Sequence, residues 1–437
     1  MVPSFRSRRV ALPDGVRPAT VRYESGVVVE VGEGTGDEDF GDLVVMPGLV
    51  DSHVHVNEPG RAGWEGFRSA TRAAAAGGTT TIVDMPLNSI PPTVDPEALA
   101  LKWAAARGAI VVDVAFWGGL IPGSEPSVKG LVAAGVCGFK SFLVDSGVPE
   151  FPPMSVDGLE AALSELARLG VPLLLHAEDP ARLHPMTGDP RSYDRYLESR
   201  PPECEAAAIG EAVVLAARSG GHIHVLHVSS AEAADVLREA GPGMSAETCP
   251  HYLTFTAEQV GIGATEFKCA PPIRTVQHRE ALWEALGDGT LAMIVSDHSP
   301  SPPELKEVES GDFGAAWGGI SSLQIRLQAT WSEASRRGFG LDRLTEWLST
   351  APARLAGLDR KGAIEVGMDA DFVVWDPDGL TEVVGARLEH RHPLTPYEGM
   401  RLRGKVEKVT LGGQTLYTPG AGVVGRGGRM LERGWPI

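Results

Sequence analysis

Leu43-Val44-Val45-Met46-Pro47-Gly48-Leu49-Val50-Asp51-Ser52-His53-Val54-His55 decides how the rest of the chain is read. An apolar, strand-like run, 43–50, leads into two histidines two positions apart. Side chains at i and i+2 of a strand point to one face, so both imidazoles can reach one ion. A lone His-x-His is weak evidence of a metal site. Its place after a buried strand, and before the loop Glu58-Pro59-Gly60-Arg61, strengthens it.

Outward from this stretch the same arrangement recurs. Lys140 sits in Gly138-Phe139-Lys140-Ser141-Phe142, and His176 closes Val171-Pro172-Leu173-Leu174-Leu175. His227 closes Ile223-His224-Val225-Leu226, and Asp297 closes the run 291–296. Each stands at or near the C-terminal end of an apolar run, which is where a (β/α)8 barrel builds its active site. Four histidines, a lysine and an aspartate converging there suggest a two-metal hydrolase. A strand with its crossover helix takes roughly 30 or more residues. The gaps between these residues therefore read as three units, one, one long one, and two. Strands 1, 4, 5, 6 and 8 of an eight-stranded barrel would carry them.

The rest of the middle alternates in the same sense. Strand-like runs at 79–83, 110–115, 136–143, 171–176, 223–228, 244–248 and 291–296 join the one before His53 to make eight. Helix-like stretches lie between them at 65–76, 96–107, 157–169, 203–218, 231–240 and 277–286. Gly77-Gly78 and Gly170 stand where helix C-caps are expected. Such alternation implies parallel pairing. An open doubly wound sheet is the alternative, but no Gly-x-Gly-x-x-Gly follows the first strand. The 437 residues exceed a lone barrel of roughly 250. The excess lies in two β-rich ends, which carry Val27-Val28-Val29-Glu30-Val31 on one side and Asp371-Phe372-Val373-Val374-Trp375, 406–411 and 414–417 on the other. The expected fold is an α/β (β/α)8 TIM barrel over 48–355, with 1–47 and 356–437 forming one small β-rich domain.

With 43% hydrophobic and 22% charged residues, the chain is an ordinary globular one. Its formal net charge of −18 argues against nucleic acid or an anionic membrane as a partner. The four cysteines, Cys137, Cys204, Cys249 and Cys269, form no Cys-x-x-Cys pair and read as reduced thiols in a cytoplasm. The most apolar candidate for a membrane span, 109–121, is short and broken by Asp113. The start of the chain, with Arg6, Arg8 and Arg9, reads as the start of the mature protein and not as a signal peptide.

Lys140 lies between Phe139 and Phe142, where burial is expected, and lysines are almost never fully buried without a partner. One reading is that the strand has ended and the ammonium reaches solvent. The other is that burial favours the neutral amine. A neutral amine can add carbon dioxide, and the resulting carbamate is an anionic bidentate ligand able to bridge two metals. An ammonium beside two divalent cations would be repelled. Asp297 could cap a turn. Alternatively, one of its oxygens binds the more buried metal and the other passes a proton to a leaving nitrogen. His222 and His224 have the opposite parity to His227 and are expected to face the helix layer. His251 is expected to be structural, and His184, His278, His390 and His392 to lie on the surface.

Together these motifs resemble those of the amidohydrolase superfamily, in its cyclic-amidase branch of dihydroorotases, hydantoinases and allantoinases, and most closely the allantoinases. The resemblance runs from about 47 to 376. It includes Pro-Gly-Leu-Val-Asp-Ser-His-Val-His (47–55), Glu-Pro-Gly-Arg (58–61), Asp-Met-Pro-Leu-Asn (84–88), Gly-Phe-Lys (138–140) and His-Val-Ser-Ser (227–230). Cys-Pro-His-Tyr (249–252), Pro-Pro-Ile-Arg (271–274), Ser-Asp-His-Ser-Pro (296–300) and Gly-Met-Asp-Ala-Asp-Phe (367–372) continue it. It implies hydrolysis of the hydantoin ring of allantoin to allantoate by a hydroxide bridging two divalent metal ions, usually zinc. It implies His53, His55 and Asp297 on one ion, His176 and His227 on the other, and Lys140, carboxylated by carbon dioxide, across both. Asn88, Ala270, Ser299 and Gly318 would meet the cyclic ureide, and the chain would assemble as a homotetramer.

Within the branch, dihydroorotases carry an arginine two residues after the His-x-His pair. Asn57 stands there and cannot make a bidentate charged pair. Hydantoinases place a tyrosine shortly after the bridging lysine, and 141–147 contains none. Ser141 stands where some relatives have cysteine. A non-catalytic scaffold relative would have lost ligand residues, whereas all six positions are filled.

Overall fold

The apolar run 43–50 does not form one strand. Val44–Pro47 pairs antiparallel with Phe372–Glu382, whereas Leu49–Val54 pairs in parallel with Thr79–Asp84. Gly48 is the joint between them, because a Cβ there would overlap the Thr80 side chain. The computed structural model describes residues 2–425 and 427–434. Its inner layer is β1 (Leu49–Val54), β2 (Thr79–Asp84), β3 (Asp113–Phe116), β4 (Phe139–Phe142), β5 (Leu173–His176), β6 (Ile223–Val225), β7 (Met244–Thr248) and β8 (Met293–Ile294).

Parallel pairing runs β1–β2–β3 and β4–β5–β6–β7–β8. Two short contacts join these groups into a barrel. Gly118-Gly119, just past β3, pairs with Phe139 and Lys140 of β4. At the other seam Val54 bridges His298, and the His55 N–H donates to the His298 carbonyl at 2.8 Å. Deeper at that seam the wholly buried Arg326 donates to the carbonyls of Val50 on β1 (3.0 Å) and Ile294 on β8 (3.2 Å). Its Nε lies 3.4 Å from Asp51 Oδ2. One guanidinium thus holds the first strand to the last.

The helices lie where the periodicity places them, and Val156–Leu169 shows why. The Ser155 side chain accepts from the Gly158 N–H at its start, Gly170 closes it with φ 68°, and Leu159, Ala162, Leu163 and Leu166 form its buried face. Burying each leucine contributes about 1.5–3 kcal/mol. Among the described residues no helix is long and apolar enough to cross a membrane.

Both ends of the chain meet in one nine-stranded sheet. Ser4–Leu12, Gly15–Glu24 and Val27–Gly32 lie on one side of Val44–Pro47, with the short Glu38–Asp39 paired to Ser4–Leu12. Phe372–Glu382, Arg401–Leu411, Gln414–Thr418 and Gly422–Val423 lie on the other. The first two strands are not evident in sequence because arginines break their apolar pattern. Phe5, Val10, Leu12, Ala19 and Val21 bury with Phe372 and Val374. Arg6, Arg8, Arg17 and Arg22 instead pair with Asp39, Asp42, Asp14 and Glu30.

Lys361 ties this sheet to the barrel. Its buried Nζ lies 2.7 Å from Asp113 at the start of β3, 2.6 Å from Asp371 and 2.9 Å from Asp369. Arg429 also reaches Asp113 and Asp369, and Arg360 reaches Asp369, so Asp371 is the buried carboxylate whose cation is Lys361. Lys361→Met is therefore expected to cost about 3–5 kcal/mol, the usual result of removing one partner from a buried ion pair. Urea denaturation checks this, and an unchanged midpoint would contradict it.

Candidate active site

The structure brings all six expected residues together at the C-terminal end of the barrel. His53 lies near the end of β1 and His55 just past it, Lys140 on β4, His176 at the end of β5, His227 past β6, and Asp297 past β8. Asp297 Oδ1 is 3.1 Å from His53 Nε2 and 3.6 Å from His55 Nε2. Lys140 Nζ is 3.4 Å from His53 Nε2. Ring centroids of His53 and His227 are 5.5 Å apart, and those of His227 and His176 4.6 Å. All six are buried, with Lys140 only 1% exposed.

The backbone here is bent to aim these groups. His227 (φ 38°), Asp297 (φ 44°), Asn88 (φ 65°) and Asn57 (φ 67°) are four of the six described non-glycine residues with positive φ. Each such conformation costs on the order of 1–3 kcal/mol and persists only where its surroundings enforce it. The left-handed turn at His227 also corrects the expected parity of β6. It resets the strand alternation, so His224 does not face the helix layer but lies wholly buried, bonded to Glu247. His222 is exposed.

Burial lowers the basicity of His53, His55 and His227 well below the ordinary imidazole range, and Lys140 adds to it. His176 is lowered for the same first reason, with Glu178 opposing. Neutral imidazoles are the form that binds metal. Burial brings the Lys140 amine down to about 8, against the pull of Asp297 and Glu247. It pushes the Asp297 carboxyl up to about 7, which Lys140 opposes. The donor set fits divalent metal. Ligand atoms of His53, His55 and Asp297 lie within 4.8 Å of one another, and His227 Nδ1 is buried without a partner. Neutral nitrogens with a carboxylate are the ligands that zinc takes in hydrolytic sites.

Three further residues behind this group, Glu247, Glu178 and Arg200, are not evident in the sequence. Glu247 on β7 lies 2.6 Å from His53 Nδ1, and Glu178 lies 2.7 Å from His176 Nε2 with Arg200 clasping its other side. Signals for both carboxylates exist. Glu247 is a carboxylate on a buried strand, and Glu178 follows His176 at i+2. His251, also wholly buried, has no partner on either ring nitrogen. His390 is buried too, 5.6 Å from the His298 ring, and not on the surface as expected. His278 is only half-buried, and its Nδ1 accepts from the Ala231 N–H at the start of the helix Ala231–Arg238.

Above the six lies a cavity of about 420 Å³, whose lining includes Asn88, Ala270, Ser299 and Gly318. Asn88 Nδ2 is 3.5 Å from His55 Nδ1, and the Asn88 carbonyl accepts from Arg61 at 2.8 Å. Ser299 donates its N–H to Ile320 O at 3.1 Å, so its hydroxyl is the group left for a ligand. Two buried lysines fix the wall that carries Ala270 and Gly318. Lys268 donates to the carbonyls of Gly314 and Ala316, and Lys306 donates to those of Lys268 (2.8 Å) and Trp317 (3.0 Å).

The model of the Amidohydrolase family matches residues 44–416, and the chain belongs to that family. It is 48% identical to an allantoinase of Streptomyces avermitilis, covering 98% of both chains. It is 44% identical to an allantoinase of Arabidopsis thaliana, covering 95% of this chain and 88% of that one. An allantoinase of Saccharomyces cerevisiae is 41% identical, covering 96% of each. Among solved structures, the L-hydantoinase (dihydropyrimidinase) from Arthrobacter aurescens superposes with a TM-score of 0.92 at 29% identity, covering 99% of this chain and all of that one.

Gly319 and Gly318 offer a contrast that tests the pocket wall. A Cβ on Gly319 would overlap the carbonyl and hydroxyl oxygens of Ser299, whereas one on Gly318 meets nothing nearer than Ala270 N at 3.7 Å. Gly319→Ala is expected to cost about 1–3 kcal/mol by forcing Ser299 aside and to lower kcat/KM. Gly318→Ala should leave stability within about 0.5 kcal/mol. Thermal melting and steady-state kinetics check both, and equal behaviour of the two variants would contradict the assignment.

Proposed function

We propose that this protein is an allantoinase that hydrolyses the hydantoin ring of allantoin to allantoate. One observation carries the reading: the six residues meet in a single buried group, in a chain that is 41–48% identical to allantoinases over nearly its whole length. His53, His55 and Asp297 would hold one divalent cation, and His176 and His227 the other. Lys140, as the carbamate its neutral amine forms with carbon dioxide, would be shared by both. The ions, zinc by the habit of the family, would polarise the scissile carbonyl and make a nucleophile of water at neutral pH.

The chain's own groups do the rest. Asp297 turns Oδ1 toward His53 and His55, which leaves Oδ2 to accept the proton of the attacking water and deliver it to the departing ring nitrogen. The Ser299 hydroxyl, the Asn88 amide and the backbone at Ala270 and Gly318 present donors and acceptors to the ring amides. The proposal extends to a cytoplasmic homotetramer, in keeping with four buried free thiols, and light scattering reads the assembly.

A panel of allantoin, hydantoin, dihydrouracil and dihydroorotate, assayed with added zinc, manganese or cobalt, tests the substrate. Allantoin is expected to give the highest kcat/KM. Preference for dihydrouracil or a simple hydantoin would favour the hydantoinase reading that the likeness to the Arthrobacter enzyme suggests. Lys140→Ala is expected to lose nearly all turnover and at least one ion, and short carboxylic acids should restore part of both. Normal metal content and turnover in that variant would refute the shared-ligand role. Asp297→Asn is expected to lower kcat by roughly 10²–10⁴-fold with little change in KM. Full activity with metal retained would refute the proton-transfer role.

A further inference from the structure

The four candidate histidine ligands are not supported alike. His53 has a carboxylate behind it: Glu247 Oε1 lies 2.6 Å from Nδ1, so Nε2 is the nitrogen that faces Asp297. His176 has one as well: Glu178 Oε2 lies 2.7 Å from Nε2, which leaves Nδ1 for the site. Among the described residues the other two have none. The His55 ring bonds to the backbone of Leu87, and His227 Nδ1 has no partner. Each of the two ion positions therefore pairs one carboxylate-backed histidine with one that lacks such backing.

The two carboxylates are themselves held in different ways. Arg200 clasps Glu178 with Nε at 3.0 Å from Oε1 and Nη2 at 2.6 Å from Oε2. Among the described residues no arginine reaches Glu247. Its Oε2 lies 3.1 Å from His224 Nε2, His224 Nδ1 lies 2.7 Å from Ser245 Oγ, and Ser245 Oγ lies 2.8 Å from Nε2 of the exposed His222. This chain of side chains runs down the barrel interior to its far end. A carboxylate on one ring nitrogen fixes the tautomer and orientation of an imidazole and makes the opposite nitrogen a better ligand.

We infer that Glu247 and Glu178 are positioning residues that set the affinity for the two divalent cations separately, Glu247 for the ion held through His53 and Glu178 for the ion held through His176. The inference rests on the two-ion reading above. His224 acts on the first ion through Glu247.

The test uses the full chain, stripped of metal and titrated with zinc against a chromophoric chelator. Glu247→Gln and Glu178→Gln keep the shape of each side chain, and each is expected to weaken one of the two ions by about 10–100-fold while leaving the other at its parental affinity. In manganese-soaked crystals, anomalous scattering should then place the retained ion beside His176 and His227 in Glu247→Gln, and beside His53, His55 and Asp297 in Glu178→Gln. His224→Gln should weaken the same ion as Glu247→Gln, by less. A merely structural role would weaken both ions together in each variant, and that result would overturn the inference. Parental affinity for both ions in Glu247→Gln and Glu178→Gln would overturn it too. A parental chain that takes up no zinc would overturn the two-ion reading and this inference with it.

Discussion

Lys140 is buried to 1% exposure among four imidazoles, and the charges that draw on it are those of Asp297 and Glu247. A cation in a dry site is costly unless it is paired or loses its charge. Here burial favours the neutral form of the imidazoles, His53 Nε2 is 3.4 Å away, and the amine is brought down to about 8. The same dryness lifts Asp297 to about 7. Removal of water is the one constraint behind these shifts. It makes the histidines ligands, the lysine a nucleophile toward carbon dioxide, and the aspartate a proton carrier.

Keeping that site dry and narrow is the work of the barrel. Six side chains from five strands must converge within a few ångströms, so β1 and β8 must be held close. Arg326 does this from below through the carbonyls of Val50 and Ile294, and the Val54–His298 bridge does it from above. Gly48 lets the chain leave the terminal sheet and enter the barrel within one residue. The left-handed conformations of His227 and Asp297 turn the chain just past β6 and β8. Local strain at the rim is thus set against packing throughout the core.

Much of this was legible in the sequence because it depends on local pattern. The six residues each follow a buried apolar run, and the strand–helix alternation places those runs on one barrel. What depended on closure was not legible. Glu247 is visibly a carboxylate on a buried strand, but that it meets His53 follows only once β7 faces β1 across the interior. His224 was misread because strand parity was carried through His227, where the backbone turns left-handed. Ser4–Leu12 and Gly15–Glu24 were hidden by arginines whose acidic partners come from turns and neighbouring strands.

If this buried group is a two-ion hydrolytic centre acting on a hydantoin ring, turnover depends on both ions. Titrating the metal-free protein with zinc, while recording both ion content and allantoate formation, tests it most directly. The expected result is no turnover without metal and a rise that reaches its plateau at two ions per chain. Full turnover by the metal-free protein, or two bound ions with no allantoate formed, would contradict it.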